Sequence, residues 1–244
     1  MHGVSFGYLT GRPILQGVSL VMQPGETLAL VRRTGDGKSS SLHLLGGLYT
    51  PWSGSVRIAG EAPSSLSEED RRRLIGVVPQ VVQLFSGTVF DNLTLGDESV
   101  SREAVQRAAT VAGSDSFIQN LPNGYDTMLG RGVDLSGGQR QLLALARALV
   151  WDPAVLLLDE ATAAIVSASE AAFRAALRAS VSSQDRAVLT VAHRLSTSRE
   201  ADQVLVMEEG TPEDLMRRQG RFTALLELEA AGWDWRVDGR TLSQ

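Results

Sequence analysis

The chain contains no cysteine. That excludes disulfides, thiolate zinc sites and cysteine redox chemistry, and says little about compartment. Lysine is almost absent too: Lys38 is the only one, against 22 arginines. Acids outnumber bases, for a net charge of −5, so a nucleic-acid partner gains no general electrostatic support and none is expected. No apolar run reaches the ~20 residues of a membrane-crossing helix. The opening Met1–Phe6 lacks the basic region and apolar core of a signal peptide. A soluble cytoplasmic chain is expected, with any membrane attachment through a partner. The length of 244 residues suits one large domain or two small ones, with ample core.

The one lysine sits in a special place. Thr27–Val31 is an apolar stretch that reads as a buried strand, and Ser39–Leu45 starts a helix. Between them runs Thr34-Gly35-Asp36-Gly37-Lys38-Ser39-Ser40. Strand, glycine loop and helix follow in the order a phosphate-binding loop requires. Lys is a compact point charge, Arg a broad planar fork, so a crowded loop around a phosphate accepts only the first. The plain alternative is a glycine turn with a surface lysine. The flanking strand and helix favour the phosphate loop, with Lys38 on the β- and γ-phosphates and the Ser39 hydroxyl on Mg²⁺.

Further strands are expected at 18–22, 55–59, 75–78, 154–158, 187–191 and 204–207. Residues 88–149 read as mostly helical, with 101–112 the clearest case, and 168–179 as an alanine-rich helix. Helices at 212–218 and 221–230 and a polar tail at 232–244 complete the pattern. Strand–helix alternation around a helical block predicts an α/β core with an inserted helical subdomain. Arg71-Arg72-Arg73 after Glu68-Glu69-Asp70 reads as a solvated helix face with local charge pairs.

Several acids, amides and imidazoles follow apolar strands. Val155–Leu158 ends in Asp159-Glu160, which places Asp159 toward a metal and Glu160 toward an attacking water, since open α/β sheets bind ligands at their C-terminal edge. Gln80 follows 75–78, and His193 follows 187–191. Each alone is a weak signal, because solvated acids and structural histidines are commoner. Leu135-Ser136-Gly137-Gly138-Gln139 precedes a helix whose N-terminus makes a second anion cradle. Two cradles in one fold suggest two protomers, each lending this helix to the other's phosphate loop.

Together these residues resemble the nucleotide-binding domain of ATP-binding cassette (ABC) transporters of the exporter type. The resemblance runs from about residue 4 to 231, and includes Tyr8 and the stretch Leu84–Leu93. It implies a P-loop NTPase core: a RecA-like parallel sheet with an N-terminal antiparallel part, over about 1–85 and 150–210. A helical subdomain over about 86–149 would be inserted in it. It further implies ATP and Mg²⁺, hydrolysis at a dimer interface, and coupling to a transmembrane domain on another chain or lost upstream. Such a chain would lie on the cytoplasmic face of the membrane. In that scheme Tyr8 stacks on adenine, residues 34–40 hold the phosphates, and Ser39, Gln80 and Asp159 serve the metal. Glu160, Gln80 and His193 act in catalysis, and Leu135–Gln139 close the partner's site.

The chain departs from the family's pattern at Arg32 and Asp36, where the loop has glycine and a small neutral residue. Val166 stands where an aspartate is usual, 130–134 lacks a glutamate, and 207–212 looks shortened. The N-terminus looks trimmed. A bulky arginine at 32 would distort the loop, and a strained backbone there would cost about 1–3 kcal/mol. Besides a working ATPase, two alternatives therefore stand: a binding-dominant partner in an asymmetric heterodimer, and an uncoupled fragment of a transporter.

Overall fold

A computed structural model describes residues 1–32, 38–130, 134–159, 167–182, 185–192 and 201–207. Three β-sheets and seven α-helices are found among the described residues.

The centre is an all-parallel five-stranded sheet. Its strands are β3 (Thr27–Arg32), β5 (Ile75–Val78), β8 (Val155–Asp159), β9 (Ala187–Ala192) and β10 (Gln203–Met207), in the order β10-β3-β9-β8-β5. These segments are near-continuous runs of Val, Leu, Ile and Ala, as a sheet covered on both faces requires. Successive side chains alternate between two cores. Leu156, Leu158 and Val188 join one cluster, and Leu157, Leu189 and Val191 the other. Burying each such leucine contributes about 1.5–3 kcal/mol.

The face with Leu157 packs on α1 (Lys38–Leu45) and on a small antiparallel sheet. That sheet is β2-β1-β4, formed by β1 (His2–Phe6), β2 (Leu15–Val18) and β4 (Ser53–Ser55). The opposite face packs on the helical block. This comprises α3 (Val89–Thr94), α4 (Arg102–Val111), α5 (Asp115–Gln119) and α6 (Gly137–Leu149), a two-stranded ribbon of β6 (Gly87–Thr88) and β7 (Met128–Leu129), and α7 (Ser167–Ser182). A short α2 (Glu68–Leu74) leads into β5, and its Arg72 and Arg73 pair with Glu68 and Glu69 one turn away, as the charge pattern predicts.

One glycine shows how tightly α6 seats. A Cβ at Gly76 on β5 would lie 2.6 Å from the Ala148 carbonyl at the end of α6. Only a residue without a side chain lets this helix lie so close to the sheet.

Two expected strands are differently bounded. Over 18–22 the apolar alternation holds, with Leu20 buried and Val21 exposed. The ladder, however, stops at the Val4–Val18 pair, and Leu20 meets Met1 through Leu20 N–H and the Met1 amino group. The strand expected at 55–59 lies at Ser53–Ser55. Beyond it Ala59 (φ 50°) and Gly60 turn the chain back, leaving a single bridge between Ile58 and Glu61. The helices expected at 212–218 and 221–230, and the tail at 232–244, lie outside the described residues.

Candidate functional site

The parallel ladder brings four strand ends together. Val31 of β3 pairs with Ala192 of β9, Val191 of β9 with Asp159 of β8, and Leu158 of β8 with Val78 of β5. Neighbouring strands lie ~4.8 Å apart, so the four ends span about 14 Å of one sheet edge. Thr34–Gly37, Glu160 and His193 lie outside the described residues. By chain order, each follows one of these ends within a few positions: Thr34 two after β3, Glu160 directly after β8, and His193 directly after β9. Gln80 comes two residues after β5. The C-terminal edge of an open α/β sheet is where such folds bind ligands.

Lys38 is the first residue of α1, directly after the glycine loop. Ser39 is exposed at this helix start, and Ser40 is buried. Asp159 is half-buried as the last residue of β8, and Gln80 is exposed. The hydroxyl, amide and carboxylate of Ser39, Gln80 and Asp159 offer oxygen donors, the ligand type that hard ions such as Mg²⁺ take.

Tyr8 lies after β1 and is half-exposed. Its hydroxyl accepts from the Ser40 hydroxyl at 3.1 Å and sits 3.0 Å from His43 Nδ1. The structure thus joins two residues expected at the site, Tyr8 and Ser40, directly, and sets beside them a third, His43, that sequence reasoning missed.

Gln80 is tied to the helix carrying the second cradle. Gln141 of α6, 5% exposed, donates from Nε2 to the Gln80 carbonyl at 3.1 Å. Two turns further along α6, Arg147 donates to the carbonyls of Asn92 (2.7 Å) and Gln83 (3.2 Å). Asn92 in turn donates to the carbonyls of Phe85 and Thr88, and its Oδ1 accepts from Phe85 N–H. Burial pulls the Arg147 guanidinium below its ordinary pKa, and three carbonyl contacts offset part of the cost of removing that charge from water. The segment from Gln80 to Asn92 is therefore strapped to α6. Gln141 and Arg147 carried no sequence signal, because their partners lie more than 50 positions away.

At its N-terminus α6 closes on itself. Ser136 Oγ accepts from Gln139 N–H, while Gln139 Oε1 accepts from Ser136 N–H at 2.9 Å, a capping box. Ser136 and Gly137 are exposed, while Leu135 and Gly138 are buried. The exposed start of a 13-residue helix suits an anion approaching from outside. A second capping box opens α3, where the Thr88 N–H and then its hydroxyl hold the Asp91 carboxyl below the usual carboxylate pKa.

The comparisons with known proteins agree on one lineage. The ABC transporter family model matches residues 15–163. The chain is 42% identical over 233 residues to the probable multidrug resistance ABC transporter ATP-binding/permease protein YheH of Bacillus subtilis, covering 93% of this chain and 34% of that protein. It is 42% identical over 235 residues to human ATP-binding cassette sub-family B member 6, covering 93% of this chain and 28% of that protein. The chain therefore spans about a third of the length of these relatives. Among solved structures it is similar to a bacterial Atm1-family ABC exporter with ATP bound, with a TM-score of 0.76 and 36% identity over 98% of this chain and 42% of that one. The parallel sheet, antiparallel N-terminal part and helical block are a P-loop NTPase architecture shared with that exporter, and the chain belongs to the ABC transporter family.

Proposed function

We propose that this chain binds and hydrolyses ATP with Mg²⁺ as the motor domain of an exporter, on the cytoplasmic face of a membrane. The observation that carries this reading is the ladder register. It sets the ends of β3, β9, β8 and β5 side by side, and each is followed in sequence by a residue of the chemistry ATP hydrolysis needs. Lys38 and the loop at 34–40 hold the phosphates. Tyr8 receives adenine on its ring. Ser39, Gln80 and Asp159 hold the metal, which when bound neutralises charge building on the phosphate oxygens. Glu160 takes the proton of the attacking water, and His193 steadies the γ-phosphate. Leu135–Gln139 of a second copy, or of a related domain, close the site from outside, so the working form is a dimer. A transmembrane domain receives the motion, and the cassette domain spans 1–231. The similarity to an ABC transporter ATP-binding/permease protein and to an ABC exporter with ATP bound does not favour a binding-dominant partner or an uncoupled fragment.

Phosphate release from purified chain with ATP and Mg²⁺ tests this. Glu160→Gln lowers turnover by about 10²–10⁴-fold, the usual contribution of a general base, while ATP binding persists. Turnover unchanged in Glu160→Gln, or no ATP binding by the parent chain, contradicts the reading. If Arg32 and Asp36 restrain the loop, Arg32→Gly with Asp36→Ala raises affinity and turnover together.

A further inference from the structure

The nucleotide reading assigns Tyr8 to the base but leaves open what holds its ring. The side chain stands on a tight loop between β1 and β2 and is 47% exposed. A free aromatic on such a loop would sample several rotamers, and stacking a base would then cost ordering entropy. Four contacts restrain it. Ser40 Oγ donates to the Tyr8 oxygen at 3.1 Å, and His43 Nδ1 lies 3.0 Å from the same oxygen. The ring meets Phe6 edge-on at 5.2 Å and Tyr49 edge-on at 5.3 Å between centroids. The loop beneath is clamped too: a Cβ at Gly7 would lie 2.1 Å from the Arg12 carbonyl and 2.7 Å from the Trp52 ring.

The proton arrangement follows from the inventory of donors. A hydroxyl has one hydrogen. With Ser40 donating to the tyrosine oxygen, the tyrosine hydrogen is left for His43 Nδ1, which calls for the tautomer with its proton on Nε2. Ser40 and His43 sit three residues apart on α1, so they share one face and reach the same atom. His43 is also the one basic residue in the last turn of α1. It is half-exposed, so the fold does not need it as core.

Resting on the nucleotide reading above, we infer that His43 is a positioning residue for adenine. It fixes the Tyr8 hydroxyl from the helix that follows the phosphate loop, so that the base platform and the phosphate grip move as one unit. His43 touches no nucleotide in this scheme and acts only through Tyr8. The consequence is selective: losing His43 weakens ligands that carry a base and spares those that carry phosphates alone.

The test measures affinity of purified full chain for ATP and for inorganic tripolyphosphate, each with Mg²⁺, by calorimetry. His43→Ala is expected to weaken ATP about fivefold, the cost of ordering one side chain that is no longer held, and to leave tripolyphosphate within about twofold. His43→Asn, whose amide oxygen falls near the Nδ1 position, is expected to restore ATP affinity. Equal weakening of both ligands, no weakening of either, or no rescue by His43→Asn overturns the inference while the nucleotide reading stands. A parent chain that binds neither ligand overturns both.

Discussion

At α6 the first turn is closed by its own residues, Ser136 and Gln139 bonding each other's backbone. At α1 the hydroxyl of Ser40, in the first turn of the helix, is taken up by a tyrosine 32 positions away. Both helix starts are candidate anion cradles, but they are organised from different sources. The α6 end is finished locally and faces solvent with Ser136 and Gly137 exposed. The α1 end is bound into the surrounding fold, with Ser40 1% exposed. A helix end capped from within reaches an interface already ordered, and association then costs less entropy. An end tied to a distant aromatic is suited to gripping a ligand inside its own protomer. The contrast supports one cradle serving its own chain and one serving a neighbour.

The largest way to break this contrast is at the far end of α6. Arg147→Met removes the charged donor to the Gln83 and Asn92 carbonyls. A charge-assisted hydrogen bond contributes about 1.5–3 kcal/mol, so urea unfolding is expected to show a loss of about 2–3 kcal/mol. Under an α6 that stands without its strap to 80–92, the midpoint would not move.

A smaller effect sharpens the idea of local closure. Ser136→Ala deletes the cap and is expected to cost about 1 kcal/mol of stability in the monomer, read by the same unfolding curves. A Ser136→Ala chain as stable as the parent would mean that the capping box does not hold the helix start.

The smallest effect concerns the other capping box, at α3. The Thr88 N–H and hydroxyl depress the Asp91 pKa in the fold. A depressed carboxyl contributes stability that is present above its unfolded pKa and lost as pH falls through its folded one. Asp91 is exposed, so solvent screens the contribution. Thermal midpoints of Asp91→Asn and parent are expected to differ slightly at neutral pH and to converge under acid. A gap that widens in acid would contradict the assignment.

Much of this arrangement was legible in residue order. The runs at 27–31, 75–78, 154–158, 187–191 and 204–207 read as buried strands and are strands β3, β5, β8, β9 and β10. Buried parallel strands announce themselves by apolar runs alone, and the family resemblance carried the lineage. The β2 and β4 segments were less legible. The ladder of β2 stops at the Val4–Val18 pair, two residues short of the β1 start at His2, and β4 ends at Ser55, before a left-handed turn at Ala59, neither of which alternation encodes. His43, Gln141 and Arg147 were invisible because their meaning lies in distant partners. His43 looks like an ordinary helix residue until Tyr8, 35 positions away, is folded onto it.

The most direct test of the two-cradle account is the association state of the chain with ATP, by sedimentation, in the background of Glu160→Gln. The account predicts that this chain forms a dimer only with nucleotide. It predicts that adding Ser136→Arg leaves ATP binding to the monomer intact while abolishing the dimer, and that adding Lys38→Ala abolishes both. A Ser136→Arg chain that dimerises as the parent does, or that loses ATP binding as a monomer, would contradict it.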